Sequence, residues 1–370
     1  MVDVYLITLA VSIVIGVAAT LMLLAISRTE RFLALFHVRG TLEKPRWGGA
    51  VFLATFALTP YVASAISPHA SEFFTPKSGD FLGFLAAVSL VFIVGFIDDV
   101  KLTSPGLRTF VFLTAAAAVY AAGYRVDDVG LPWGQSMNFG WAGFFVTLAW
   151  IWLTTNAINI VDGRAGVALG VAIFAAITMA VVAGHSSHPA VALLLVALAG
   201  AGLGYLPWNL PPASAYIGDS GAYVLGFVIG ALSIRAATGP TDEVFVAVPI
   251  IALGFPILDI GLAFTRRLLD RRHPLIGDED HIHHRLELAG AGPRGLLVII
   301  YALAAIFSLG AITLHYVSST AIEAAVLAGL VVVIGGTLLK LGYIVTIWNS
   351  HSVVWLRQRV VAVESRRIGD

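Results

Sequence analysis

The chain has 370 residues, of which 58% are hydrophobic and 12% charged, with a formal net charge of zero and no cysteine. Soluble globular proteins carry about a quarter charged residues, so this composition excludes an ordinary soluble domain and favours one integral membrane domain. The balanced charge gives no indication of a nucleic-acid partner, and the lack of cysteine excludes disulfides, thiolate metal sites and a cysteine nucleophile.

Apolar segments long enough to cross a bilayer recur along the whole chain. A membrane helix needs about 20 apolar residues, and eleven such segments are predicted, near residues 4–26, 48–67, 80–97, 107–123, 141–158, 166–184, 189–206, 221–236, 244–264, 295–316 and 320–339. The first segment is too long for the core of a signal peptide, so no cleavage is expected. The predicted fold class is all-α, a polytopic membrane protein with about eleven transmembrane helices.

The distribution of Lys and Arg predicts the orientation of these segments. Of the 22 basic residues, 19 fall in one set of alternating loops and ends, and 3 fall in the other set. The positive-inside rule places the N-terminus outside and the C-terminus in the cytoplasm. Residues 1–349 are predicted as the membrane domain, and residues 350–370 as a cytoplasmic tail that is either an amphipathic surface helix or an ordinary solvated segment.

Two polar clusters fall at predicted cytoplasmic helix ends in the first half of the chain. Asp98 and Asp99 end the third segment, where the helix dipole disfavours carboxylates, so a structural role alone would favour Lys or Arg. Asn156, Asn159 and Asp162 recur every three residues and share one helical face. That face points either into a polar cavity or, as an amide ladder, towards a neighbouring helix.

A third cluster follows a proline-rich stretch just before the eighth segment. Asp219 lies in the turn sequence IGDSG. It could simply cap the helix that follows. A carboxylate in such a turn, on the same side as the other carboxylates, is also suited to a magnesium ion that bridges substrate phosphates.

The longest predicted cytoplasmic loop carries a fourth cluster, which contains His281, His283 and His284. Zinc binding and contact with phosphate oxygens are both compatible with these imidazoles. The arginines of the loop are interpreted mainly as positive-inside residues or contacts to anionic lipid. Asp259 lies inside an apolar segment, where an ionisable residue usually faces a cavity.

The order and spacing of six short motifs carry a resemblance to a known family. They are KPRWGG at 44–49, FIDD ending at Asp99, NAINIVDG at 156–163, WNLPPA into IGDSG at 208–221, PILD ending at Asp259, and DEDHIHHRL at 278–286. Together they resemble the polyprenyl-phosphate N-acetylhexosamine-1-phosphate transferases, and the last motif is more similar to the GlcNAc-1-phosphate branch than to the pentapeptide branch.

The resemblance implies transfer of an N-acetyl amino-sugar 1-phosphate from a UDP-sugar to undecaprenyl or another polyprenyl phosphate. UMP is released, Mg²⁺ or Mn²⁺ is required, and the product starts synthesis of a cell-envelope polysaccharide such as O-antigen. The implied setting is the bacterial inner membrane, with membrane lipids as partners and a homodimer left open. The implied catalytic residues are Asp98, Asp99 and Asp219, with Asp219 and Asp99 at the metal. Substrate binding is implied for Lys44, Asn156, Asn159, Asp162, Arg164, His281, His283 and His284.

Two positions depart from the family pattern. Ala165 stands where members usually carry an acidic or amide residue, and Ala222 stands where they usually carry serine. Arg164 is expected to replace part of the polarity lost at the first position. The loss at position 165 suggests one rival interpretation, a non-catalytic paralogue that binds the lipid carrier or the nucleotide sugar. Intramembrane acids and broken helices suggest another, a secondary transporter. A transporter would place its polar residues near the bilayer midplane, whereas these lie at the inner boundary.

Overall fold

The computed structural model describes residues 2–27, 44–73, 79–130, 136–186, 188–239, 243–271, 280–317 and 319–343. The predicted tail at 350–370 lies outside these residues. The helices in the described ranges are α1 (Val2–Ser27), α2 (Gly48–Ile66), α3 (Pro68–Phe73), α4 (Gly79–Val100), α5 (Pro105–Ala121), α6 (Ala142–Ile160), α7 (Val167–His185), α8 (Pro189–Asn209), α9 (Gly218–Ala236), α10 (Ala247–Ala252), α11 (Gly254–Leu269), α12 (Ile282–Leu288), α13 (Pro293–Tyr316) and α14 (Thr320–Lys340).

The helices confirm an all-α, multi-pass membrane protein. Eight of them in the described ranges are long and apolar enough to cross a membrane by length and composition. A helix also occupies each of the other three predicted segments, namely α5, α9 and the α10–α11 pair. The count of eleven spans stays a prediction.

Helix α9 is the central element of the bundle. It contacts α2, α4, α6, α7 and α8, and 17 of its 19 residues are buried. The two exceptions are Asp219 in its first turn and Arg235 in its last turn. Because protein surrounds the helix on all sides, the position of Asp219 is set by the packing of the whole bundle rather than by a loop.

The ninth predicted segment is divided into two helices, which the hydropathy pattern does not show. α10 ends at Ala252 and α11 begins at Gly254. Pro256 has no N–H with which to bond the carbonyl of Ala252, and its ring clashes with a continuous helix. The break between the two helices lies just before Asp259 in the chain.

A small three-stranded sheet interrupts the helical pattern. β1 (Asp128–Gly130) pairs antiparallel with β2 (Ser136–Asn138) and parallel with β3 (Glu243–Val244). Strands of two or three residues are too short to show a period-2 pattern in the sequence. The sheet precedes α6 and follows α9, so it lies at the end of the bundle opposite to the one where α6 ends and α9 begins.

Candidate active site

The carboxylate of Asp99 joins the end of α4 to the start of α9. Its Oδ1 accepts a hydrogen bond from the Asp219 backbone N–H at 2.7 Å. Its Oδ2 accepts from the Ser220 N–H at 3.0 Å and from the Ser220 hydroxyl at 2.6 Å. The first N–H groups of a helix have no partner within that helix and favour negative charge. Asp99 is therefore the cap of α9, supplied from another helix.

The turn before α9 depends on a glycine. Gly218 has a φ of +70°, a left-handed backbone conformation that favours glycine. A β-carbon at this position would also collide with the Arg46 carbonyl and would lie 2.6 Å from Asp99 Oδ1. The glycine thus lets the chain approach closely enough for Asp99 to cap the helix.

Asp219 itself faces the end of α6. Its Oδ1 accepts a hydrogen bond from Asn159 Nδ2 at 2.8 Å. The alternative that Asp219 merely caps α9 does not describe this geometry, since Asp99 supplies the cap and the Asp219 side chain bonds to α6. The sequence-predicted residues Asp99, Asn159 and Asp219 are thus brought together.

Asp162 follows α6 and lies close enough to Asp219 and Asp99 for their charges to interact. Burial and the nearby carboxylates of Asp219 and Asp99 raise the pKa of Asp162 well above its usual range, and Arg46 opposes this rise. Three carboxylates therefore share one small region at the predicted cytoplasmic end of the bundle. Such a region favours a bound cation or a cationic side chain.

Asp98 has a different environment from Asp99. It is 2% exposed, and it accepts hydrogen bonds from the Thr103 N–H at 2.7 Å, the Thr103 hydroxyl at 2.8 Å and the Tyr223 hydroxyl at 3.2 Å. Arg108 completes the set with an ion pair of 2.8 Å. The opposite charge and the donors explain how a carboxylate is tolerated at the C-terminal end of α4.

The histidine segment docks on α11 through Asp259. His281 Nδ1 donates to Asp259 Oδ2 at 2.9 Å, and the Ile282 N–H donates to Asp259 Oδ1 at 2.8 Å. Asp259 is 1% exposed. The sequence predicted that Asp259 faces a cavity, and the structure corrects this, because the carboxylate contacts the start of α12.

The three histidines form one group of rings. The His281 and His283 rings are stacked at 5.7 Å with an interplanar angle of 9°, and the His283 and His284 centroids are 4.1 Å apart. Burial, followed by the neighbouring His284, lowers the pKa of His283 to about 4. His283 is therefore neutral at pH 7 and can accept a hydrogen bond at one ring nitrogen.

His283 also brings α12 against the loop that carries Asp162. Its imidazole lies so close to Gly163 that a β-carbon there would overlap the ring. Beside this contact, Arg164 makes two hydrogen bonds with Glu287, at 2.6 and 2.7 Å. The histidine group therefore borders the loop that carries Asp162.

Two predicted substrate-binding residues lie apart from these contacts. Asn156 Nδ2 donates to the Trp152 carbonyl of its own helix at 2.7 Å. The Lys44 ammonium is 6.0 Å from the centre of the Tyr216 ring, on the same stretch of chain as Arg46. Arg164 was also predicted to bind substrate, and its guanidinium is paired with the Glu287 carboxylate.

Arg46 and Arg108 are site residues that the sequence interpretation missed. Arg46 was part of the KPRWGG motif, but only its lysine was selected. The structure places Arg46 close enough to Asp162 and Asp219 to stabilise both carboxylates, and Arg108 does the same for Asp219. A signal existed in the sequence, because Arg46 lies within the KPRWGG motif and Arg108 follows the end of the FIDD motif by nine residues.

Of the two predicted metal ligands, Asp219 and Asp99, only Asp219 has a carboxylate oxygen that the described residues leave open to a hard divalent cation. Among the described residues, no group of three His, Asp or Glu side chains converges as a ready-made metal site. Mg²⁺ typically uses only one or two protein carboxylates together with substrate phosphates and water. Asp219 suits this role, since its Oδ2 accepts no hydrogen bond within the described ranges, whereas three donors already engage Asp99.

Comparison with known proteins adds independent information. The family model described as glycosyl transferase family 4 matches residues 81–237. A probable undecaprenyl-phosphate N-acetylglucosaminyl 1-phosphate transferase of Bacillus subtilis is 32% identical over 226 residues, which cover 61% of this chain and 63% of that relative. A decaprenyl-phosphate N-acetylglucosaminephosphotransferase of Mycolicibacterium smegmatis is 30% identical over 74% of this chain and 72% of the relative. A phospho-N-acetylmuramoyl-pentapeptide-transferase of Desulforamulus reducens is also 30% identical, over 72% of this chain and 80% of the relative.

The matched family region runs from α4 to the end of α9, and so contains the carboxylate cluster. The names of the relatives agree with the predicted enzyme class, a glycosyl-1-phosphate transferase. Given this similarity over a multi-pass membrane bundle, the chain belongs to glycosyl transferase family 4.

Proposed function

We propose that this protein transfers an N-acetyl amino-sugar 1-phosphate from a UDP-sugar to undecaprenyl phosphate, with release of UMP. The observation that carries the proposal is the meeting of Asp99, Asn159 and Asp219 at one end of the bundle, beside the histidine group. The names of the relatives support sugar-phosphate transfer to a polyprenyl phosphate. The UDP donor and a role at the start of envelope polysaccharide synthesis are part of the proposal.

The reaction explains why the site needs both carboxylates and bases. An oxygen of the lipid phosphate attacks the sugar-bearing phosphorus of the donor, and the bond from that phosphorus to the UMP oxygen breaks. Both reactants are anions, so catalysis consists mainly of positioning and charge neutralisation. Arg46 and Arg108 supply hydrogen-bond donors on the protein side, and Asn159 holds Asp219 in place.

In this proposal Mg²⁺ is held by Asp219, with Asp99 beside it. The ion neutralises charge on the diphosphate when it is bound. Asp98 and Asp99 remain the candidates for taking a proton from the lipid phosphate. The Asp98 oxygens already accept four hydrogen bonds, so Asp99 is the better candidate for this step.

The proposal includes an orientation in the bacterial inner membrane. In the eleven-span prediction, 19 of the 22 Lys and Arg residues fall in the loops and ends on the same side as Asp99 and Asp219. A cytoplasmic site agrees with the positive-inside rule and with a soluble cytosolic donor. The N-terminus is then outside, and the C-terminus is cytoplasmic.

The direct test is UMP release by the purified protein with undecaprenyl phosphate, Mg²⁺ and a panel of UDP-amino sugars. We expect release with at least one N-acetyl amino sugar, and only when the lipid phosphate is present. Binding of a UDP-sugar without UMP release would instead identify a non-catalytic paralogue. Ion-coupled uptake into vesicles without UMP release would identify a transporter.

The metal is tested separately by chelation and replacement. Because the proposed ligands are oxygen atoms, Mg²⁺ or Mn²⁺ should restore the activity of chelated protein, and Zn²⁺ should not. The measurement is the initial rate of UMP release after each addition. Restoration by Zn²⁺ alone would assign the metal to the histidine group instead.

A further inference from the structure

Within the described ranges, Asp259 is the one buried carboxylate of the site region that the proposed mechanism does not use. It lies on α11, after the helix break, and is 1% exposed. A carboxylate in such a place is costly unless donors satisfy it. Both of its oxygens accept hydrogen bonds, one from His281 Nδ1 at 2.9 Å and one from the Ile282 N–H at 2.8 Å.

These two contacts determine which nitrogen of His281 carries a proton. A carboxylate is only an acceptor, so Nδ1 must be the protonated nitrogen when His281 is neutral. The second hydrogen bond, from Ile282, fixes the orientation of the carboxylate, because a backbone N–H cannot change its role. His281 Nε2 has no hydrogen-bond partner within the described part of the chain, so it presents a lone pair.

We propose that Asp259 is a positioning residue for the transfer reaction. It holds His281 as the Nδ1–H tautomer, so that Nε2 accepts a hydrogen bond from a donor group of the bound sugar nucleotide. The stacking of His281 on His283, and the contact of His283 with Gly163, place this imidazole in the ring group that borders the Asp162 loop. The proposal rests on the proposed function, since His281 is taken to contact the substrate.

The substitution Asp259→Asn is a sharp test because it keeps the shape and removes one acceptor. The single amide oxygen should bond the fixed Ile282 N–H, which leaves the NH₂ group facing His281 Nδ1. His281 must then lose the Nδ1 proton and carry it on Nε2, so that the acceptor becomes a donor. UMP release should fall roughly tenfold to a hundredfold, the range seen when groups that orient metal-bound histidines are lost.

A double-substitution cycle separates positioning from a general loss of structure. His281→Gln removes the imidazole, and Asp259→Asn should then cause little further loss in that background. Losses that add in full would show that Asp259 acts independently of His281, and would overturn the proposal.

The tautomer itself is read by ¹⁵N NMR of labelled protein, with His281 assigned by its absence in His281→Gln. We expect Nδ1–H in the parent, Nε2–H in Asp259→Asn, and the parental state in Asp280→Asn, a control that alters a neighbouring carboxylate paired with Arg285. If Asp259→Asn does not fold, the parent spectrum and Asp259→Glu, which keeps two acceptor oxygens, still decide the question. An Nε2–H signal in the parent would overturn the proposal, even if UMP release failed for every donor.

Discussion

Replacing Asp219 by Asn is expected to lower the rate of transfer at least a hundredfold, which corresponds to roughly 3 kcal/mol of lost transition-state stabilisation. The substitution removes the carboxylate charge that would neutralise a cation at the donor diphosphate. It retains an amide oxygen that can still accept the hydrogen bond of 2.8 Å from Asn159. The fold should therefore survive, and the measurement is the steady-state rate of UMP release at saturating Mg²⁺.

The matched control for this experiment is Asn156→Ala. Asn156 lies one turn before Asn159 on α6, but it bonds only to its own helix. Its rate should stay within a few-fold of the parent, and both variants should match the parent in extraction yield and thermal stability. A nearly parental rate for Asp219→Asn would remove the metal assignment.

Asp99→Asn is expected to damage both stability and activity, in contrast to Asp219→Asn. In the parent one Asp99 oxygen accepts the Asp219 N–H, and the other accepts the Ser220 N–H and hydroxyl. The NH₂ group of an asparagine must face one of these donors, and a buried donor left unsatisfied costs about 1–3 kcal/mol. The midpoint of thermal unfolding in detergent should fall, and UMP release should fall with it.

A pH series shows whether Asp99 also takes the proton of the lipid phosphate. At higher pH that phosphate is already a dianion and needs no base. The residual rate of Asp99→Asn should then recover in part with rising pH, whereas the rate of Asp219→Asn should not. Parallel pH profiles for the two variants would leave only the helix-capping role for Asp99.

The sequence predicted the helices and the grouping of the carboxylates well, because both depend on patterns that are local. Apolar runs mark spans whatever their neighbours are. Asp99, Asn159 and Asp219 all fall at helix ends. Because successive spans run in opposite directions, these three ends lie on the same side of the membrane. The sequence could not show that Asp99 caps α9, because that contact depends on how closely two helices pack.

Other side-chain contacts could not be predicted from local sequence patterns either. Asp259 was predicted to face a cavity because its partner, His281, lies outside α11. The packing of the His281 segment against α11 leaves no periodic pattern in the sequence. The pairing of Arg164 with Glu287 joins residues that are 123 positions apart. Asn156 was grouped with Asn159 by spacing alone, whereas its side chain donates to the Trp152 carbonyl of its own helix.

The capping of α9 by Asp99 has a consequence for the biosynthesis of the protein. The amide groups that satisfy Asp99 belong to Asp219 and Ser220, which lie 120 and 121 positions later in the chain. At ordinary rates of synthesis these groups emerge from the ribosome roughly 6 to 24 s after Asp99. During this interval these donors are not available to the carboxylate, so we expect the end of α4 to stay at the hydrated membrane surface until α9 enters the bundle.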